Sequence, residues 1–210
     1  MAMKHKMSKR PFFIVLVLGL CASTTSGARG GQAATQPYDK HPIVVLDTTL
    51  GEIVLELDAE KAPITVENFL KYVDDKFYDG LIFHRVIPTF MVQGGGHDAQ
   101  LREKSEGVRP AILNESRSAL SNLKGTIAMA RKPDPNSATC QFFINRVDNP
   151  QLDRAGGGYT AFGKVVAGMD VVDKIAQGRT TSRVGPDGSQ MDDVPVEAVV
   201  IRSARRKTKG

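Results

Sequence analysis

The sequence predicts a mainly β fold, an antiparallel barrel closed on itself or a sandwich, with two helices. Three observations carry this. Short apolar, strand-like runs recur from Ile43 almost to the end of the chain. Only two segments carry a helical apolar stripe, one near the start of this region and one near its end. There is no strand–helix–strand alternation and no internal repeat, which disfavours a parallel α/β sheet.

Taken in order, "IVVLDTTLGEIVLEL" from Ile43 is two strand runs around a turn at Gly51. In the second run Ile53, Leu55 and Leu57 alternate with Glu52, Val54 and Glu56, so one face is at least partly wet. Residues 63–74 form a helix, because Val66, Phe69, Leu70 and Val73 fall at i, i+3, i+4 and i+7. Thr65 is the expected cap and Glu67 suits the first turn. Further strands are predicted at 81–87, 90–94, 126–130, 141–145, 161–166 and 194–202. Loops rich in Gly, Pro, Asn and Asp fill 94–110, 131–139, 148–158 and 178–193. A second helix fits 169–177, where Met169, Val172, Ile175 and Ala176 make a stripe that Gly178 ends.

The 210 residues are 41% hydrophobic and 24% charged, which is a globular balance. The net charge of +5 is unevenly placed: residues 1–28 hold Lys4, Lys6, Lys9 and Arg10 and no acid. Without those four cations, 24 basic residues face 23 acidic ones, so no nucleic-acid-binding face is expected. The basic start, the apolar run "FFIVLVLGL" and the small residues ending at Ala28 have the form of a secretory signal peptide. That run is about half the roughly 20 residues a spanning helix needs. The expected organisation is a leader over 1–28, a linker over 29–41, a domain over 42–204 and a basic tail over 205–210. The leader implies export, with membrane contact only through the leader if it is uncleaved. Bulky Leu20 ahead of Cys21 argues against lipidation. Cleavage leaves Cys140 as the one cysteine, read as a buried structural residue in a core strand.

The chemistry narrows by exclusion. His41, His84 and His97 have no zinc-site spacing. There is no GxGxxG, no GxxxxGK[ST] and no GxSxG, and the acids are scattered. What remains is a cation, amides and apolar rings. By strand alternation Arg85 shares a face with Phe83; Met91 and Gln93 share a face after Phe90; Gln141 and Phe143 share a face opposite Phe142. Such a site is an apolar pocket rimmed by hydrogen-bond donors, suited to a small apolar ring and the amide beside it. His84 and the three glycines at 94–96 are read as structural.

The segments "FHRVIPTFMVQGGG", "GTIAMAR", "QFFIN" and "AFGKVVAGMDVVDKIA", in this order and spacing, resemble the cyclophilin family of peptidyl-prolyl cis–trans isomerases over roughly residues 43–203. The resemblance implies a closed eight-stranded antiparallel β-barrel capped by two α-helices, acting without a cofactor as a monomer. Its partners would be proline-containing unfolded or flexible polypeptides. Arg85 would be the catalytic arginine, and Phe90, Met91, Phe143 and Leu152 would form the proline pocket. Gln93 and Gln141 would contact the substrate backbone or orient Arg85. Ala130 and Arg131 would pair with the peptide through main-chain groups. Tyr159 stands where many relatives have histidine, and Arg131 where asparagine is common.

Overall fold

The computed structural model describes residues 39–207. The leader and most of the linker expected from the sequence lie outside these residues. Among the described residues there are ten strands: β1 (Ile43–Thr48), β2 (Gly51–Leu57), β3 (Leu81–Ile87), β4 (Met91–Asp98), β5 (Thr126–Met129), β6 (Phe142–Asn145), β7 (Ala161–Ala167), β8 (Thr180–Val184), β9 (Gln190–Pro195) and β10 (Ile201–Lys207). The helices are α1 (Pro63–Asp74) and α2 (Met169–Gln177). Among the described residues no helix is long and apolar enough to cross a membrane.

Eight strands make one antiparallel sheet in the order β10-β1-β2-β7-β5-β6-β4-β3. The sheet curls until its edges approach, but it does not close as the expected barrel would. At the seam there is one isolated bridge, Ile82 to Val200, with backbone bonds from Gly80 to Ile201 (2.8 Å) and from Phe83 to Val199 (3.1 Å). The reason lies in the residues that reach β3. Strand β10 is spent on β1 along its length, so only the residues around its start meet β3. The hairpin of β8 and β9 flanks β3 from Ile82, where Val194 packs with Ile82 and Leu101, to Arg85, which meets Asp193.

That hairpin occupies a segment read from the sequence as loop and strand. The expected strand over 194–202 is two pieces, the end of β9 and the start of β10, separated at residues 196–200. Strand β10 also takes in Arg205, Arg206 and Lys207 of the expected tail. Arg205 pairs with both carboxylate oxygens of Asp79 (2.9 and 2.6 Å), and Arg206 pairs with Asp74.

The core lies between the sheet and the two helices, with Val66, Phe69, Leu70 and Val73 of α1 and Val171, Val172, Ile175 and Ala176 of α2 in one cluster. Ile53, Leu55 and Leu57 are fully buried, as their alternation implies. The stripe Val66, Phe69, Leu70 and Val73 faces inward. The cap of α1 differs from expectation: the N-cap residue is Ala62 and Pro63 begins the helix. The orphan N–H groups of Ile64 and Thr65 donate to the Glu115 carboxylate (3.1 and 2.8 Å), and the Thr65 hydroxyl joins them (2.7 Å). A carboxylate supplied by a distant loop thus does what a local cap would do, and its charge suits the helix N-terminus.

Phe69 anchors an aromatic cluster, with ring centroids 5.2 Å from Phe162, 5.3 Å from Tyr78 and 5.6 Å from Phe142. Tyr78 is fully buried and donates its hydroxyl to the Cys140 carbonyl at 2.9 Å, so its polar end is satisfied. Cys140 is buried beside it, and burial pushes its thiol up, which suppresses the nucleophilic thiolate. We expect Phe69→Ala to lower the unfolding free energy by about 3–5 kcal/mol, read as a lower denaturant midpoint at unchanged slope.

Candidate functional site

The face of the sheet opposite the core carries a second, smaller apolar cluster. Met91, Ala128, Phe143 and Ala161 are buried there, with Ile87, Phe90, Leu120, Ala130, Leu152 and Tyr159 packed around them. Strand alternation builds it: along β6, Phe142 enters the core and Phe143 enters this cluster; along β4, Val92 and Met91 divide in the same way. A cavity of about 210 Å3 opens on it.

Arg85 stands at the cavity rim, about half exposed. Its position depends on a bulge. Phe83 pairs with Gly94 while Arg85 pairs with the adjacent Gln93, so His84 is an extra residue in β3. Phe83 and Val86 therefore both point into the core, and Arg85 and Ile87 turn outward. This corrects the expectation that Arg85 and Phe83 share a face: simple alternation fails at a bulge.

Gln93 donates to the Gln141 side-chain carbonyl at 3.0 Å, joining β4 to the start of β6. Gly96 makes room for this pair, since a Cβ there would lie 2.5 Å from the Gln141 amide. Gln141 itself lines a neighbouring cavity of about 420 Å3, which shares Gln93, Ala130 and Arg131 with the first. The Ala130 N–H is already committed to the Gln141 backbone carbonyl at 3.0 Å.

The far wall is a loop held in place by buried polar groups. Asn145, fully buried, donates to Asn122 (3.1 Å) and Thr126 (3.0 Å) and accepts from Asn149 (2.8 Å). Asn149 also donates to the Phe90 carbonyl (3.2 Å), and Asn122 donates to Asp153 (2.9 Å) and to the Tyr159 carbonyl (3.0 Å). The backbones of Phe90, Tyr159 and the Leu152 turn are thereby tied together. The Arg131 guanidinium covers the Tyr159 ring at 4.2 Å and donates to the carbonyls of Ala155, Gly156 and Gly158 (3.0, 2.9 and 3.1 Å).

No serine or cysteine lines the cavity, so the arrangement has no nucleophile for acyl transfer. Among the described residues no group of three or more His, Cys, Asp and Glu side chains converges as metal ligands would. What is present is an apolar recess, a permanent cation at its mouth and amides beside it.

Comparison with known proteins agrees with this geometry. The sequence profile described as "Cyclophilin type peptidyl-prolyl cis-trans isomerase/CLD" matches residues 43–206. The chain belongs to the cyclophilin family. It is 46% identical over 202 residues to peptidyl-prolyl cis-trans isomerase A of Dickeya dadantii, covering 95% of this chain and 98% of that one. It is 47% identical over 166 residues to peptidyl-prolyl cis-trans isomerase B of Escherichia coli, covering 77% and 97%. A Cryptosporidium parvum cyclophilin, crystallised in the presence of the dipeptide ala-pro, shares the fold with a TM-score of 0.62 at 24% identity, over 80% of this chain and 99% of that one. This cyclophilin is a peptidyl-prolyl cis–trans isomerase by family and by relatives.

Nine of the ten sequence-derived site residues meet at one cavity: Arg85, Phe90, Met91, Gln93, Ala130, Arg131, Phe143, Leu152 and Tyr159. Gln141 stands one shell away, reaching the site through Gln93. The sequence reading missed the polar frame of this cyclophilin, namely Asn122, Asn145, Asn149 and the Arg131 side chain. An asparagine closing the apolar run "QFFIN" was the one available signal, because a buried amide demands partners.

His84 lies beneath the β8–β9 hairpin, almost fully buried, with its ring 4.4 Å from that of His97. The Nδ1 atoms of both rings lack a partner among the described residues. Burial first, then the nearby His97 and Arg85, push His84 down to about 3, and burial also lowers His97. His84 is therefore neutral at pH 7. Its folded value lies below the unfolded value of about 6.5, so the unfolded chain binds the extra proton on acidification. The stability from the neutral ring is present above pH 6.5 and is lost as the pH falls toward 3. Between pH 6.5 and 4.5, this cyclophilin should lose about 2 kcal/mol more than the His84→Gln variant does, measured by denaturant titration at each pH.

Proposed function

We propose that Arg85 accelerates rotation about X-Pro bonds by stabilising the twisted amide while the apolar recess holds the proline ring. The observation that carries this is the half-exposed guanidinium at the rim of a cavity floored by Met91 and Phe143. An amide resists rotation by about 18–20 kcal/mol because its C–N bond is partly double. Uncatalysed X-Pro exchange takes roughly tens to hundreds of seconds. Reaching milliseconds requires about five powers of ten, or about 7 kcal/mol.

No bond needs to break. Twisting ends the resonance and leaves a lone pair on a pyramidal proline nitrogen. A guanidinium donating to that lone pair favours the twisted form over the planar one, which is the condition for acceleration. One charge-assisted hydrogen bond contributes about 1.5–3 kcal/mol. The remainder comes from holding the ring against Phe90, Met91, Phe143, Leu152 and Tyr159 while Gln93, Gln141 and the main chain of Ala130 and Arg131 hold the flanking backbone. Arginine suits the role because it stays charged and its donor fork is rigid.

We further propose that the substrates are unfolded or flexible exported chains, and that the protein acts in the periplasm after cleavage near Ala28. The basic, apolar and small-residue order of residues 1–28 supports this.

In a protease-coupled assay on an X-Pro peptide, Arg85→Ala should lower kcat/KM about 10- to 150-fold with an unchanged unfolding midpoint. Full turnover in that variant would remove Arg85 from the mechanism, and a wild type without turnover would make the site a peptide binder. In cells, the mature protein should appear in the periplasmic fraction with a mass lacking residues 1–28. An intact mass in the membrane fraction would overturn the export proposal.

A further inference from the structure

The β8–β9 hairpin brings a carboxylate to the rim of the site. Val194 is buried with Ile82 and Leu101, which pins the hairpin to β3. One residue earlier, Asp193 presents Oδ2 to the Nε edge of Arg85 at 3.8 Å. This distance is an ion pair rather than a hydrogen bond. Asp193 sits in a bulge: Thr181 pairs with Val194 and Arg183 with Met191, so Asp192 and Asp193 both oppose Ser182. Its φ is +60°, a left-handed conformation that few side chains adopt and that Asp and Asn tolerate best. The neighbouring Asp192 is occupied elsewhere, accepting from the Ser182 hydroxyl at 2.6 Å. The Arg85 side chain makes no hydrogen bond among the described residues, and Asp193 is the carboxylate that forms an ion pair with it there, while Asp192 feels its charge from farther away.

We propose that Asp193 is a positioning residue for the isomerase reaction, holding the Nε edge of Arg85 so that its terminal nitrogens stay over the cavity mouth. This rests on the reading of Arg85 as the catalytic cation. A half-exposed arginine otherwise samples many rotamers. A carboxylate on one edge selects among them without occupying the edge that meets the substrate. The bulge and the left-handed residue are the backbone means of aiming that carboxylate, and the buried Val194 supplies the fixed point. The pair is solvent-exposed, so its effect is modest and is screened by salt.

The test is steady-state kinetics on an X-Pro peptide with wild type, Asp193→Asn, Asp192→Asn, Arg85→Ala and the Arg85→Ala/Asp193→Asn double variant. Asparagine keeps the shape and the left-handed backbone and removes only the charge. Asp193→Asn should lower kcat about three- to fivefold with KM unchanged, and Asp192→Asn, which removes the more distant charge, should cost less than Asp193→Asn does. Raising the salt should bring wild-type kcat down toward the Asp193→Asn value, which itself stays flat. Asp193→Glu should recover part of the loss, and Asp193→Asn should cost nothing further on the Arg85→Ala background. If Arg85→Ala is impaired but Asp193→Asn equals wild type, or if Asp193→Asn costs the same factor with and without Arg85, this inference is overturned while Arg85 stands. If Arg85→Ala retains full activity, the underlying reading falls instead. Should Asp193→Asn fail to fold, a wild-type kcat that does not change with salt would overturn the inference.

Discussion

The structure depends on one extra residue in β3. The bulge at His84 lets Phe83 and Val86 both reach the core while Arg85 and Ile87 turn to the opposite face. In an unbroken strand Arg85 would follow Phe83 toward the core, where a guanidinium without a partner is costly to bury. The bulge removes that conflict and leaves the cation beside an apolar recess, in contact with water yet next to a dry floor. The cost falls on His84, which goes under the hairpin as a neutral ring with Nδ1 lacking a partner among the described residues.

A curled sheet with a core on one face and a recess on the other uses every residue of its short strands. Phe142 stacks edge-on against Phe69 and Tyr78 in the core, while Phe143, its neighbour, meets Tyr159 at the recess with ring centroids 5.9 Å apart. The recess cannot be lined by strands alone, because β5 and β6 are only four residues long. Loops supply the remaining wall, and loops carry backbone polar groups that need partners. From below, Asn122 donates to the Tyr159 carbonyl and Asn149 to the Phe90 carbonyl, with the Asn145 amide joining the two side chains, and Arg131 satisfies the carbonyls of Ala155, Gly156 and Gly158 from the side. The same bonds that settle these groups also fix where Leu152 and Tyr159 stand.

The hairpin joins the fold to the chemistry. It flanks the edge of β3 where the sheet does not close, encloses the two histidines, and presents Asp193 to Arg85. A sheet edge needs cover in any case. Here the covering element also carries charge to the rim of the site, so the seam and the site share one device.

The sequence by itself determined the features that local periodicity controls. The two helices, the strand runs from Ile43 to Ala167 apart from the second half of β4, which reads as loop, and the alternation that separates Phe142 from Phe143 were legible, because each depends on residues within one or two turns or pleats. Eight of the ten candidate site residues were legible within three of the quoted motifs, and Leu152 and Tyr159 only by their position between the third and fourth, since the order along the chain carries the family pattern. Tertiary structure alone decided what depends on residues far apart. Glu115 caps α1 in place of Thr65 because a loop returns across some fifty residues. The segment over 178–193 became a hairpin because Val194 found Ile82 and Leu101. The barrel stayed open because β10 gives its length to β1. The orientation of Arg85 followed from a register shift between β3 and β4, and a register belongs to two strands together, so neither strand's sequence contains it.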